Sequence, residues 1–187
     1  HKSREDTLNF DFSDDQKSLK DQARKFLSEK AGAKVTRGVL DDATKSYDKD
    51  LWRAVAEMGW LGVAIPEEHG GLGLGRLELC VLAEEIGRAV APIPFSSTVY
   101  FFAEALMLAG NDAQKSAHLS KVAAGETIGC FALSEGPGAP TADSIQAKFD
   151  GATLNGAKIP VTDGDCADWA VVVAKEGAGV SLVLVDI

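Results

Sequence analysis

Residues 121–133 read Lys121-Val122-Ala123-Ala124-Gly125-Glu126-Thr127-Ile128-Gly129-Cys130-Phe131-Ala132-Leu133, and the fold turns on that stretch. Before Gly125 apolar residues recur at helical spacing; after Thr127 they run together or alternate. Upstream, Ser13 fits an N-cap and Gln16 its capping-box partner, behind the lead-in Phe10-Asp11-Phe12. Asp14 and Asp15 suit the positive end of the helix dipole. Leu19, Ala23, Phe26 and Leu27 form one apolar stripe, which predicts a helix to about Lys30, ending near Gly32. A second helix is predicted over 49–58, with Leu51, Trp52, Val55 and Met58 buried and Gly59 as the residue that ends it. An apolar connector (61–66) and a glycine-rich turn (67–73) follow. Helical spacing returns over 76–89, with Leu79, Leu82, Ala83 and Ile86 inward, until Pro92 and Pro94 break it. Two further helices are predicted near 97–109 and 112–123, the second capped by Asn111 or Asp112.

Downstream of Thr127 the pattern is that of strands. Residues 128–133 form a short apolar run, and 144–149 alternate outward and inward side chains. Asp150-Gly151 is a turn, 153–156 a hairpin element, and 169–174 and 180–187 are rich in β-branched residues. Helices first and strands afterwards predict an α+β chain with segregated parts. An N-terminal all-α helical domain occupies 1–126 and a β-domain 127–187. The last strand reaches Ile187 without a visible closing partner, so the β-domain reads as incomplete.

Composition narrows the function classes. The chain is 45% hydrophobic and 25% charged, the ordinary globular range. A formal net charge of −9 argues against nucleic acid, whose binders need basic surface to replace counterions. It leaves open a phosphorylated small molecule, which a few local donors can hold. Cys80, Cys130 and Cys166 are too scattered for a disulfide framework or a zinc site, which favours a reducing, cytoplasmic setting. His1, His69 and His118 form no ligand set. No apolar run is long enough to span a bilayer, and no early segment reads as a secretory leader.

Four ordered motifs carry a resemblance. They are Phe12-Ser13-Asp14-Asp15-Gln16; Met58-Gly59-Trp60-Leu61-Gly62 with Ile65-Pro66-Glu67-Glu68-His69-Gly70-Gly71-Leu72-Gly73; Glu84-Glu85-Ile86-Gly87-Arg88; and Leu154-Asn155-Gly156-Ala157-Lys158-Ile159-Pro160-Val161-Thr162-Asp163-Gly164 with Ala167-Asp168-Trp169. In this order the chain resembles the acyl-CoA dehydrogenase family over nearly its whole length. The resemblance implies an N-terminal helical domain and part of a β-barrel-like middle domain, bound FAD, and α,β-dehydrogenation of an acyl-CoA thioester. It also implies an electron-transfer flavoprotein or similar acceptor and a homo- or hetero-oligomer. Family members carry a further C-terminal helical bundle that supplies the glutamate base; it is absent from these residues, so no catalytic residue is assigned here. The stretch 87–95 is similar to bacterial relatives that act on bulky or unusual acyl-CoA esters.

By the same resemblance, Leu133 and Ser134 match positions whose backbone and hydroxyl contact the flavin ring, and Thr162 matches a flavin-contacting threonine. Where the family has Thr-Glu-Pro-Gly-Ala-Gly-Ser-Asp, this chain reads Ser134-Glu135-Gly136-Pro137-Gly138-Ala139-Pro140-Thr141. Thr141 stands as the substitute loop hydroxyl, while the prolines remove backbone donors that a pyrophosphate uses. Pro160 replaces an aromatic residue that packs near the flavin in many members.

Each position also has a plainer reading. Ser134 can be a strand-end hydroxyl and Thr162 a turn residue. Glu67, Glu68 and His69 read as a structural turn whose glycines serve backbone geometry. Glu84 and Glu85 read as a solvated helix face or partners of Arg88. Cys130, Cys166, Trp52, Trp60 and Trp169 are core candidates. Two functions are therefore carried forward: the front part of an FAD-dependent acyl-CoA dehydrogenase, or a non-catalytic subunit or assembly module of a heteromeric one.

Overall fold

A computed structural model describes residues 11–187; Phe10 and His1 lie outside the described residues. Among the described residues six α-helices come first: α1 (Asp14–Lys30), α2 (Ala33–Leu40), α3 (Lys49–Glu57), α4 (Arg76–Arg88), α5 (Glu104–Ala109) and α6 (Asp112–Ala123). Five strands follow: β1 (Gly129–Ala132), β2 (Lys148–Phe149), β3 (Leu154–Asn155), β4 (Trp169–Glu176) and β5 (Gly179–Asp186). The change of character at Gly125 is thus where the last helix gives way to the first strand.

The caps behave as their residue types dictate. Ser13 and Gln16 form the reciprocal capping box of α1, and Asn111 with Gln114 repeats it at α6. Gly59 takes φ 75 just past α3, the left-handed geometry that ends a helix there. One expectation fails in this region, and one helix was not foreseen. Met58 is 41% exposed, because α3 ends at Glu57 and the Met58 side chain falls outside its buried stripe of Leu51, Trp52 and Val55. The helix α2 had no sequence signal, since Val35, Thr36 and Gly38 are poor helix formers. Tertiary contact supports it: Thr36 Oγ1 donates to the Val90 carbonyl at 3.0 Å.

Helices α1 and α4 pack side by side, and here the solvated-face reading of Glu84 and Glu85 needs correction. Glu84 is exposed and pairs with Lys20 at 2.8 Å, yet Glu85 is 0% exposed. One turn position separates a wet face from a dry one. Glu85 accepts from Arg24 of α1 at 2.8 and 3.1 Å and from Arg88 at 2.8 Å, and the Arg24 hydrogen bond foremost holds its carboxyl down to about 2. A carboxylate whose folded pKa is depressed stabilises the fold above its unfolded pKa and loses that contribution as pH falls through the folded value. Glu85→Gln should therefore cost about 2 kcal/mol at neutral pH, the range for losing charge-assisted bonds to a buried group. The difference in urea midpoint between wild type and variant should shrink between pH 4.5 and about 2.

The segment predicted as one helix over 97–109 is two. Residues Ser96–Ala103 form a π-helix that continues directly into α5. The π-helix lies on β1 so closely that a Cβ added at Gly129 would sit 2.1 Å from the Phe102 ring. One core cluster joins both parts of the chain: Ile65, Phe102, Leu106, Leu119 and Val122 from the helical side meet Val171 of the sheet. His118 belongs to this junction, with its ring 4.4 Å from that of Trp169 and 6.4 Å from that of Phe102. Burial, with Lys121 nearby, lowers its pKa, which disfavours a charge in this junction. Trp52 and Trp60 are core residues as expected, while Trp169 is half-buried in this seam.

The sheet is mixed. Strand β4 pairs in parallel with β1 through Gly129–Trp169 to Ala132–Val172, and antiparallel with β5 along its whole length. At its far end β4 touches β2 through Lys148 and Lys175, and β2 forms the predicted hairpin with β3. Among the described residues β5 pairs only with β4, leaving its outer edge open, with Leu182 exposed. Ile145 and Ala147 are buried while Ser144, Gln146 and Lys148 face out, the alternation read from the sequence.

Candidate functional site

The four residues predicted to meet a flavin fall on three backbone segments. Leu133 and Ser134 leave the end of β1, and Thr162 lies in a turn (161–164) after β3. Backbone bonds join these two segments: Ile159 N–H donates to the Ser134 carbonyl at 2.7 Å, and Gly136 N–H to the Ile159 carbonyl at 2.9 Å. That ladder brings Leu133 and Ser134 alongside the run into Pro160, Val161 and Thr162. The Ile159–Pro160 peptide is cis. Thr141 stands apart on the third segment, exposed, in a local turn where its hydroxyl accepts from Ser144 N–H at 3.3 Å.

A half-buried ion pair missed by the sequence reading fastens this arrangement. Lys158 Nζ donates to Glu135 at 2.6 Å and to the Leu133 carbonyl at 3.1 Å. Glu135 also accepts from the backbone N–H groups of Gln146 and Ala147, at 2.5 and 2.9 Å. The Lys158 hydrogen bond foremost, followed by the backbone donors, holds the Glu135 carboxyl down to about 2. One carboxylate thus ties β1, the segment entering β2 and the segment leaving β3. Both residues lie inside motifs recognised above, but only the fold shows that they meet across 23 positions.

The hydroxyls of Ser134 and Thr162 make no hydrogen bond among the described residues, whereas those of Ser97, Thr98 and Ser144 nearby are engaged. The loop 136–140 is exposed beyond Gly136, and a Cβ at Gly136 or Gly138 would meet nothing within 4 Å. With Ser134 and Ile145 it lines a shallow cleft of about 110 Å³. Ser134 and Thr162 thus flank a single bridge, Glu135–Ile159, beside an open loop, with hydroxyls free to bind a polar ligand. No group of three His, Cys, Asp or Glu suited to a metal occurs among the described residues. Cys130 is buried; Cys166 is only half-buried, its thiol donating to the Asp163 carbonyl at 3.5 Å, so the full burial expected of it is not found.

The other candidates take their plainer readings. Glu67–His69 form a 3-10 turn closed by Gly70 at φ 79, with Glu68 and His69 in contact at 3.7 Å. Gly71 and Gly73 complete a tight return against residues 62–65. No helix among the described residues is long and apolar enough to cross a membrane.

A helical front part packed on a mixed sheet, with paired loop segments at the strand ends, defines a two-part α+β protein. The chain belongs to the acyl-CoA dehydrogenase family: the description "Acyl-CoA dehydrogenase, N-terminal domain" matches residues 13–126, more than half of it. It is 35% identical over 181 residues to mitochondrial isovaleryl-CoA dehydrogenase of Arabidopsis thaliana, covering 92% of this chain and 43% of that protein. A solved variant of the Tcur3481-Tcur3483 steroid ACAD superposes with TM-score 0.80 at 35% identity, over 92% of this chain and 48% of that one. A glutaryl-CoA dehydrogenase from Mycobacterium smegmatis, solved with FADH2, gives TM-score 0.78 at 25% identity over 94% and 46%. The chain therefore spans less than half the length of these relatives.

Proposed function

We propose that these residues are the flavin-binding front part of an FAD-dependent acyl-CoA dehydrogenase. The reading keeps residues 1–126 as the helical domain and 127–187 as part of the middle β-domain. The observation that carries it is the ladder between 134–136 and 159, which sets the unspent hydroxyls of Ser134 and Thr162 on neighbouring segments. FAD, when bound, would accept the hydride from the β-carbon of the thioester. Leu133 and Ser134 would meet the flavin ring through backbone and hydroxyl, and Thr162 would hold it from the adjoining turn. Thr141 contributes less, because its hydroxyl already serves Ser144. Proton abstraction is not assigned to this chain. Glu135, the carboxylate next to Ser134, is ion-paired and held near 2, which makes it a poor base.

The substrate is an acyl-CoA thioester, and the electron acceptor an electron-transfer flavoprotein or a similar carrier. A bulky acyl group is supported by the steroid ACAD likeness and by the stretch 87–95. We place the protein in a reducing, cytoplasmic setting, in keeping with its three free cysteines. The second reading, a subunit or assembly module of a heteromeric enzyme, is favoured by the altered loop Gly136-Pro137-Gly138-Ala139-Pro140 and by a relative whose description pairs two names.

The test is the visible spectrum and FAD titration of the full-length protein, purified with any chain that accompanies it. Near-stoichiometric flavin is expected. Ser134→Ala and Thr162→Val should each weaken FAD binding about tenfold, the worth of one hydrogen bond to a polar ring, and Thr141→Ala by much less. A colourless protein that stays colourless with added FAD favours the module over the enzyme.

A further inference from the structure

Two neighbouring hydroxyls in the π-helix reach the two segments that lead to the candidate flavin site. Ser97 and Thr98 are 1% and 0% exposed. Thr98 Oγ1 accepts from Gly129 N–H and donates to the Gly129 carbonyl, both at 3.2 Å, so it grips the first residue of β1 by both its polar groups. Ser97 Oγ donates to Asp163 Oδ2 at 2.6 Å, with a longer contact to the Pro94 carbonyl at 3.2 Å. The bond to Asp163 is charge-assisted and is the stronger of the two. Asp163 holds φ 57, a left-handed conformation that a non-glycine residue adopts at a cost. It is the residue next to Thr162.

The π-helix explains why adjacent residues can do this. Its i→i+5 bonds widen each turn, so successive side chains diverge by a smaller angle than the roughly 100° of an α-helix. Ser97 and Thr98 can then face the β-domain together. Strand β1 leads to Leu133 and Ser134, and the turn at Asp163 presents Thr162. These two segments are joined to each other at Ile159, and each is pinned separately to the π-helix. Three attachments fix their relative position; two leave a hinge.

We propose that Ser97 and Thr98 are positioning residues for the flavin, setting the Thr162 turn in register with the Leu133–Ser134 strand end. This rests on the FAD reading above. Ser97 touches no reacting atom in this scheme; it acts through Asp163. Losing its hydroxyl frees the Asp163 carboxylate, and the strained turn relaxes away from Ser134.

The experiment compares wild type, Ser97→Ala, Asp163→Gly and Asp163→Asn in the full-length protein, reading FAD affinity and the visible circular dichroism of the flavin at saturating FAD. Asp163→Gly tolerates the positive φ and removes the anchor from the turn side, so it reports even where Ser97→Ala fails to fold. Asp163→Asn keeps an acceptor and the left-handed geometry. Ser97→Ala and Asp163→Gly should weaken FAD binding about tenfold, as for one charge-assisted bond, and alter the flavin dichroism. Asp163→Asn should restore both to near wild type. Affinity within twofold of wild type in Asp163→Gly, with unchanged dichroism, overturns the positioning role while leaving the FAD reading intact. A wild-type protein that binds no FAD overturns that reading and this inference with it.

Discussion

Gly71→Ala is expected to be among the most destabilising single substitutions in the helical part. A Cβ at this position would lie 2.0 Å from the Ile65 carbonyl oxygen, 2.5 Å from its carbon and 2.6 Å from the Ile65 Cβ. None of these can retreat. Ile65 is buried, and its carbonyl accepts from Gly73 N–H at 2.9 Å. Leu72 N–H and Leu74 N–H bind the carbonyls of Gly62 and Val63 on either side, at 2.8 and 2.9 Å. The return from 71 to 74 therefore lies on the connector 62–65 like a short strand, and separating them breaks three backbone bonds. Overpacking by one methyl commonly costs about 1–3 kcal/mol; here the obstacle is backbone, so at least about 3 kcal/mol is expected. Gly87→Ala is the contrasting change. Its Cβ would meet nothing within 4 Å inside α4, and it should stabilise by about 0.5–1 kcal/mol. Urea unfolding of both variants decides the matter. A Gly71→Ala protein within 1 kcal/mol of wild type would mean that the close approach is not present.

The second large effect falls on Glu135 and Lys158, whose removal is not symmetrical. Lys158 is 6% exposed at its side chain, and without Glu135 its ammonium keeps only the Leu133 carbonyl. An uncompensated buried charge costs about 3–5 kcal/mol, and Glu135→Leu also strips the acceptor from Gln146 and Ala147. Lys158→Met leaves Glu135 with both backbone donors and should cost about half as much, since the carboxylate remains hydrogen-bonded. Lys158→Met releases the Leu133 carbonyl, so it should weaken FAD binding even where folding survives, whereas Glu135→Leu leaves that carbonyl bonded to Lys158. The depressed carboxyl adds a pH signature: the pair stabilises fully above about 4.5 and is lost as pH falls toward 2. Stability measured across that window should fall in wild type and stay flatter in Lys158→Met. Equal loss from both substitutions would contradict the asymmetry.

Much of the architecture was legible because it rests on local chemistry. Ser13, Gln16, Asn111 and Gly59 mark helix ends by side chains or φ that act within four residues, and the sequence states those directly. The strands after Thr127 were legible from β-branched runs and from the alternation around Ile145 and Ala147. What stayed hidden depends on partners distant in the chain. Glu84 and Glu85 are chemically identical neighbours, and only the placement of α1 makes one a surface group and the other a buried pair with Arg24. Helix α2 opposes its own propensity, and Ser96–Ala103 carries no local mark of a π-helix. At the candidate site the hydroxyls of Ser134 and Thr162 were named from resemblance. The joining of their segments at Ile159, and the Glu135–Lys158 clasp between those segments, came from pairing across more than twenty residues.

The central claim is that these residues form the flavin-holding front of an enzyme that oxidises acyl-CoA thioesters. It is tested most directly by adding an acyl-CoA, under anaerobic conditions, to the full-length protein loaded with FAD. The flavin band should bleach and a stoichiometric amount of the α,β-unsaturated thioester should appear, with Ser134→Ala and Thr162→Val impaired at the FAD-loading step. Flavin that is bound but stays fully oxidised with a panel of straight-chain, branched and polycyclic acyl-CoA thioesters would contradict it.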